Sequence, residues 1–193
     1  MRVFLLLFLA SLAVQAQEPV HLRLTLVHFT GGSWREDEIL AAAAQASQIL
    51  AQCGIAPGGL DVKHVDVEAR FRIYHTPTSR ELARRLQFDT PAIFFVDDTR
   101  QRPAFDAEAI GRGNSRPRPE LADTVWITRA TRDAGIALAH ELAHVLMDSG
   151  EHSEEPGNLM RDETAPENTR LSGAQCTRMR STAAANGLLK PSR

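Results

Sequence analysis

Residues 140–144 read His140-Glu141-Leu142-Ala143-His144, and the chain continues through Val145-Leu146-Met147-Asp148-Ser149-Gly150-Glu151-His152 towards Asn158-Leu159-Met160. The spacing predicts a helix on which His140 and His144, four residues apart, share one face and can reach one metal ion. Glu141 lies one position round that helix from His140, where a carboxylate reaches a water on the metal without taking the metal itself. Leu138, Leu142, Val145 and Leu146 supply an apolar face, so the helix is expected to be packed and not a solvated polar stripe. A catalytic zinc ion takes three protein ligands and keeps one position open. It lowers the pKa of a bound water and polarises a carbonyl, which leaves Glu141 as the candidate general base.

The third ligand is expected to be His152, with Asp148 and Glu151 as competitors. Gly150 is expected to end the helix and let the chain reverse towards the metal. Met160 follows His152 by eight residues. With His152-Ser153 and Leu159-Met160 at this distance, the segment resembles the metzincins, and within that clan most resembles the matrixins. The resemblance implies a zincin/metzincin-like α/β (α+β) fold: a twisted mixed sheet, two backing helices, an active-site helix, a turn at Met160 beneath the metal, and a C-terminal helix over Leu171 to Ala185. It also implies one catalytic Zn2+ and hydrolysis of peptide bonds. Metzincins place a glycine three residues after the second histidine and the third histidine three beyond that. Here Gly150 is six after His144 and His152 two beyond Gly150, so the spacer is two residues longer and the helix is expected to run about half a turn further. Matrixins continue after the methionine with Tyr and Pro, whereas Arg161-Asp162 follow here, which leaves the substrate pocket unassigned. Matching motif residues run from about 123 to 162; the N-terminal half agrees in element order alone.

Alternation over His21 to Phe29 predicts a strand, and Glu36 to Ala51 reads as an Ala-rich helix ending before Gly54. Leu60 to Val67 reads as a second strand, and Ser79 as the cap of a helix beginning near Glu81. Ala92 to Val96 and Asp123 to Thr128 are expected strands, and the Arg-, Pro- and Gly-rich stretch 99–120 a loop with an edge strand at Ala107 to Ile110. Thr131 or Asp133 is expected to cap the helix that carries the histidines.

Arg2, the apolar run Val3 to Ala10 and the small-residue site Val14-Gln15-Ala16 have the layout of a signal peptide over residues 1–16. The run is too short to span a membrane. A single catalytic domain is then expected over 17–193, secreted or periplasmic, monomeric, and without membrane contact after cleavage. With 22 Lys and Arg against 24 Asp and Glu, no basic face is demanded, and nucleic acid is not an expected partner. The two cysteines, Cys53 and Cys176, are expected to form a disulfide in an exported chain. Cys53-Gly54-Ile55-Ala56-Pro57 faintly resembles an inhibitory propeptide cysteine segment, but its place at the end of a predicted helix argues against that.

His21, His28, His64 and His75 lack ligand partners at helical or loop spacing and read as surface or strand histidines. Asp97-Asp98 reads as a solvated turn, with calcium binding as the alternative. The only tyrosine, Tyr74, lies far upstream of the helix, so no tyrosine follows Met160 to act as an extra ligand or oxyanion donor. The expected activity is a zinc-dependent endopeptidase acting on protein or peptide substrates, held extended along an edge strand within residues 104–114. Its rivals are a zinc hydrolase of a non-protein amide and a non-catalytic zinc-binding module. Glu141 weighs against the latter, since zinc binding alone does not need that carboxylate.

Overall fold

Ten residues, Val20–Phe29, form the first strand, β1. Its odd and even side chains part to the two faces of a sheet, as the two-residue period of a strand requires. A computed structural model describes residues 18–100, 109–112 and 119–191. The expected signal peptide, residues 1–16, lies outside the described residues, as does much of the expected substrate edge, 104–114.

After β1 come α1 (Glu36–Leu50), β2 (Ile55–Val65), β3 (Ile73–Tyr74), α2 (Thr76–Leu86), β4 (Ala92–Val96), β5 (Asp98–Thr99), β6 (Ala109–Arg112), β7 (Thr124–Thr128), α3 (Ala134–Met147), α4 (Gly173–Ala185) and β8 (Leu189–Pro191). The main sheet has the order β2-β1-β4-β7-β6, with β8 added antiparallel to the start of β1. β2, β1, β4 and β7 run parallel, and β6 runs antiparallel to β7 at the edge. Every residue of β4 and β7 is buried. That is why these strands read as unbroken apolar runs and not as alternating ones. Ile93, Phe95, Val125 and Ile127 join Leu22, Leu24 and Leu26 under α1 and α3. Phe94, Val96 and Trp126 turn to the other face and meet Phe71, Tyr74 and Leu82 beneath α2. There the Phe94 and Trp126 rings stack with centroids 4.0 Å apart, a contact worth about 0.5–1.5 kcal/mol beyond area burial. α1 and α2 are the two expected backing helices, on opposite faces of the sheet, and α3, the expected helix of the histidines, packs beside α1.

Several boundaries differ from the sequence reading, each for a physical reason. Ser79 does not cap α2, which starts at Thr76 behind His75. Pro77 fits the first turn because its missing N–H needs no partner there. β2 begins at Ile55 and not Leu60, because the outermost strand tolerates Pro57, and a register shift between Leu22 and Arg23 leaves Gly58 as the extra residue. Of the expected edge strand Ala107 to Ile110, Ala109 and Ile110 lie in β6 (Ala109–Arg112), and 107 and 108 lie outside the described residues. The strand after it starts at Thr124 and the last helix at Gly173. Short β3, β5 and β8 had no readable pattern. Gly135, in the first turn of α3, faces α1 so closely that a Cβ there would sit 2.6 Å from the Gln45 Cβ.

Cys53, in the single turn that follows α1, is bonded to Cys176 of α4, 123 residues away. Loop-closure entropy for so long a loop corresponds to roughly 4–5 kcal/mol. Thiol titration of unfolded, unreduced protein should find no free thiol, and reduction should lower the melting temperature by about 10 °C. An unmoved melting temperature would show that the bridge contributes nothing. Among the described residues, no helix is long and apolar enough to cross a membrane.

Candidate metal centre

α3 carries His140, Glu141 and His144 along one stretch, with His140 only 4% exposed and Glu141 and His144 half-buried. The helix does not continue to Gly150. It ends at Met147, and Asp148 takes the left-handed conformation at φ 47°. Aspartate tolerates that region better than most residues. Counted from that left-handed residue, His144 lies four positions before and His152 four after, so one of the two extra spacer residues falls before the reversal and one after it. The reversal places the Ser149 carbonyl 2.6 Å from His144 Nδ1 and carries His152 back over the helix.

The three imidazoles converge. His144 Nε2 is 3.0 Å from His140 Nε2 and 3.2 Å from His152 Nε2. Every outward nitrogen has an oxygen partner. His140 Nδ1 donates to the Leu159 carbonyl at 2.7 Å, His144 Nδ1 to the Ser149 carbonyl, and His152 Nδ1 lies 2.5 Å from Asp162 Oδ1. A carbonyl only accepts, so the Nδ1 atoms of His140 and His144 carry the protons and their Nε2 lone pairs point inward. Burial pushes the His140 imidazole down to about 4 and lowers His144 as well, so both are neutral at pH 7. Facing lone pairs at this distance repel unless a cation lies between them. Two nitrogens ~2.0–2.1 Å from a tetrahedral zinc ion are about 3.3–3.4 Å apart, close to the spacing seen. The donor set thus fits a metal ion of the zinc type.

One donor atom from each of the three histidines lies within 4.8 Å of the others, and neither Asp148 nor Glu151 belongs to the group. Glu151 is turned away, paired to Arg178 at 2.8 Å, which holds its carboxyl below the usual range.

The turn at Met160 is built by backbone and amide contacts. Met160 is buried, its N–H donates to Asn158 Oδ1 at 2.9 Å, and its carbonyl accepts from Ser153 N at 2.7 Å. It therefore runs under His152-Ser153 on one side and, through Leu159, under His140 on the other. Asn158 and Gln175 exchange amide hydrogen bonds at 3.0 and 3.1 Å, locking this turn to α4. Asn158, Gln175 and Asp162 are the supporting residues that sequence reasoning missed. Asp162 was noted only as a departure from Tyr-Pro, and nothing in its spacing signals a bond to His152.

No family model matches the sequence, and no curated protein matches it. Among solved structures the chain matches metalloproteinase-II from Bacteroides fragilis, with a TM-score of 0.60 and 21% identity over 88% of this chain. This chain therefore shares its fold with that protein. The match covers 55% of that protein, so the chain spans little more than half its length. The mixed sheet with backing helices agrees with the zincin-like expectation.

Other residues are placed as follows. Tyr74 is fully buried against Trp126 on the opposite face of the sheet, outside the histidine group. Asp97 Oδ1 accepts from Ser33 N and Oγ at 2.7 and 2.8 Å, so it holds the turn after β1. His28 and His64, read as unrelated strand histidines, are brought together with Glu36 into a second cluster. That reading is corrected by strand register, which puts His28 directly opposite His64.

Proposed function

We propose that the protein is a zinc-dependent endopeptidase, with His140, His144 and His152 as metal ligands and Glu141 as general base. The observation that carries this reading is the convergence of three Nε2 lone pairs, each backed by an oxygen on Nδ1, beside Glu141. Such outward partners fix tautomer and ring orientation in metal-ligating histidines. Two neutral imidazoles, one buried and one half-buried, and a third at the surface suit zinc better than calcium or magnesium, which prefer oxygen.

A bound zinc supplies Lewis acidity, raising the acidity of water and polarising a substrate carbonyl. Glu141 accepts the proton of the attacking water and passes it to the leaving amine. Asp162, Leu159 and Ser149 hold the three rings in place. The Asn158–Gln175 pair keeps the Met160 turn, and with it the Leu159 carbonyl, fixed under His140. β6 is the last strand in the sheet order and lies against α3. An extended peptide adding to that edge would run beside the histidines, bound mainly by its backbone. The Leu-Met turn and His152-Ser153 support a reading of the protein as a metzincin nearest the matrixins. The Cys53–Cys176 bond supports an exported protein, secreted or periplasmic, since such bonds persist in oxidising compartments.

Casein or gelatin should be cleaved, the cleavage should stop with a zinc chelator, and it should return with added zinc. A protein that binds zinc at the three histidines but cleaves only small non-peptide amides would replace the endopeptidase reading with the amidohydrolase one. Zinc binding without any turnover would leave a binding module.

A further inference from the structure

We propose that His28, His64 and Glu36 form a second site for a divalent transition-metal ion, zinc or copper(II), built on elements that take no part in the three-histidine centre. β1 and β2 are parallel and His28 pairs directly with His64, so both side chains leave the same face near the carboxyl ends of their strands. Their rings meet edge to face with centroids 5.3 Å apart. Glu36 opens α1, and its Oε2 lies 3.3 Å from His64 Nε2. One nitrogen from each ring and one Glu36 oxygen lie within 4.8 Å of one another.

The cluster is held in place from behind. His28 Nε2 is 2.9 Å from the Trp34 carbonyl, two residues before Glu36, so one hydrogen bond sets the ring relative to the carboxylate. The turn between them is pinned by Asp97 on Ser33 and by Trp34 Nε1 donating to the Val96 carbonyl at 2.9 Å. Because Nε2 donates to a carbonyl, the neutral ring keeps its lone pair on Nδ1. That Nδ1 is buried and has no hydrogen-bond partner, so the protein alone leaves this imidazole under-satisfied.

Two imidazoles and one carboxylate are a donor set used by zinc with a position left open, and imidazole likewise suits copper(II). Calcium and magnesium need more oxygen ligands than the cluster offers. The His64 and Glu36 side chains are 56% and 45% exposed, so an ion enters from solvent and exchanges more readily than one held by the buried His140. Bound there, it would tie the end of edge strand β2 to the start of α1. The competing account is a plain surface ion pair between His64 and Glu36, which predicts no metal.

The test is zinc stoichiometry by equilibrium dialysis and elemental analysis, with untagged protein and zinc chloride as the probe. His64→Ala should bind one equivalent fewer than wild type at saturation, and Glu36→Gln should show the same loss. His75→Ala, as a control for adventitious binding, should match wild type. The readout is a difference, so it holds whatever the occupancy of the three-histidine centre. Equal stoichiometry in wild type, His64→Ala and Glu36→Gln would overturn the proposal. Should His64→Ala fail to fold, Glu36→Gln at an exposed helix start decides alone.

Discussion

Exchanging Glu141 for glutamine should lower peptide hydrolysis by about 10²- to 10⁴-fold while zinc content and melting temperature barely change. The expectation follows from where Glu141 sits. It is on α3 between the two helical histidines, half-buried, and outside the group of donor atoms that converge on the metal position. Glutamine keeps the shape and hydrogen-bonding reach of glutamate but accepts no proton at neutral pH. A structural role would instead show as lost stability, and a ligand role as lost zinc. A Glu141→Gln protein that keeps its zinc and cleaves peptides at the wild-type rate would end the proposed mechanism. One that loses zinc would require the site to be redrawn.

Removing His152 should have the largest effect on metal content. His152→Ala takes away one of three nitrogens and leaves His140 and His144 with an incomplete set, which zinc does not hold tightly. Zinc content after dialysis should fall to a small fraction of wild type, and peptide cleavage with it. Asp148→Ala should retain its zinc, because Asp148 serves as the left-handed cap of α3 and lies outside the donor group. Full zinc retention in His152→Ala, with loss in Asp148→Ala, would transfer the third position to the aspartate. Glu151→Ala should also keep zinc, since that carboxylate is engaged by Arg178.

The parts of this site that were legible in the sequence are those fixed by local geometry. Four-residue spacing puts His140 and His144 on one helical face whatever the rest of the chain does, and the apolar run Ala92–Val96 can hardly be other than buried. The path from His144 to His152 was only half legible. Gly150 is the stronger sign of a left-handed turn, yet Asp148 takes that conformation. What decides it is the Ser149 carbonyl reaching His144, a contact visible only once the helix is folded. Asp162 behind His152 and the Asn158–Gln175 pair join residues 10 and 17 apart through turns whose geometry no spacing encodes. The His28–His64 pair was illegible for a related reason. The two residues are far apart in sequence and meet through the register of two parallel strands, which is shifted by the extra residue at Gly58. In α2, Ser79 read as the cap of a helix beginning near Glu81, but the helix starts at Thr76, with Pro77 in its first turn.

The most direct test of the account is the position of the metal itself. Crystals soaked in zinc chloride, with diffraction recorded on either side of the zinc absorption edge, should show an anomalous peak ~2.0–2.1 Å from the Nε2 atoms of His140, His144 and His152, with Glu141 outside bonding distance. A peak ligated by Asp148 or Glu151 in place of His152, or no peak among the three histidines, would contradict it.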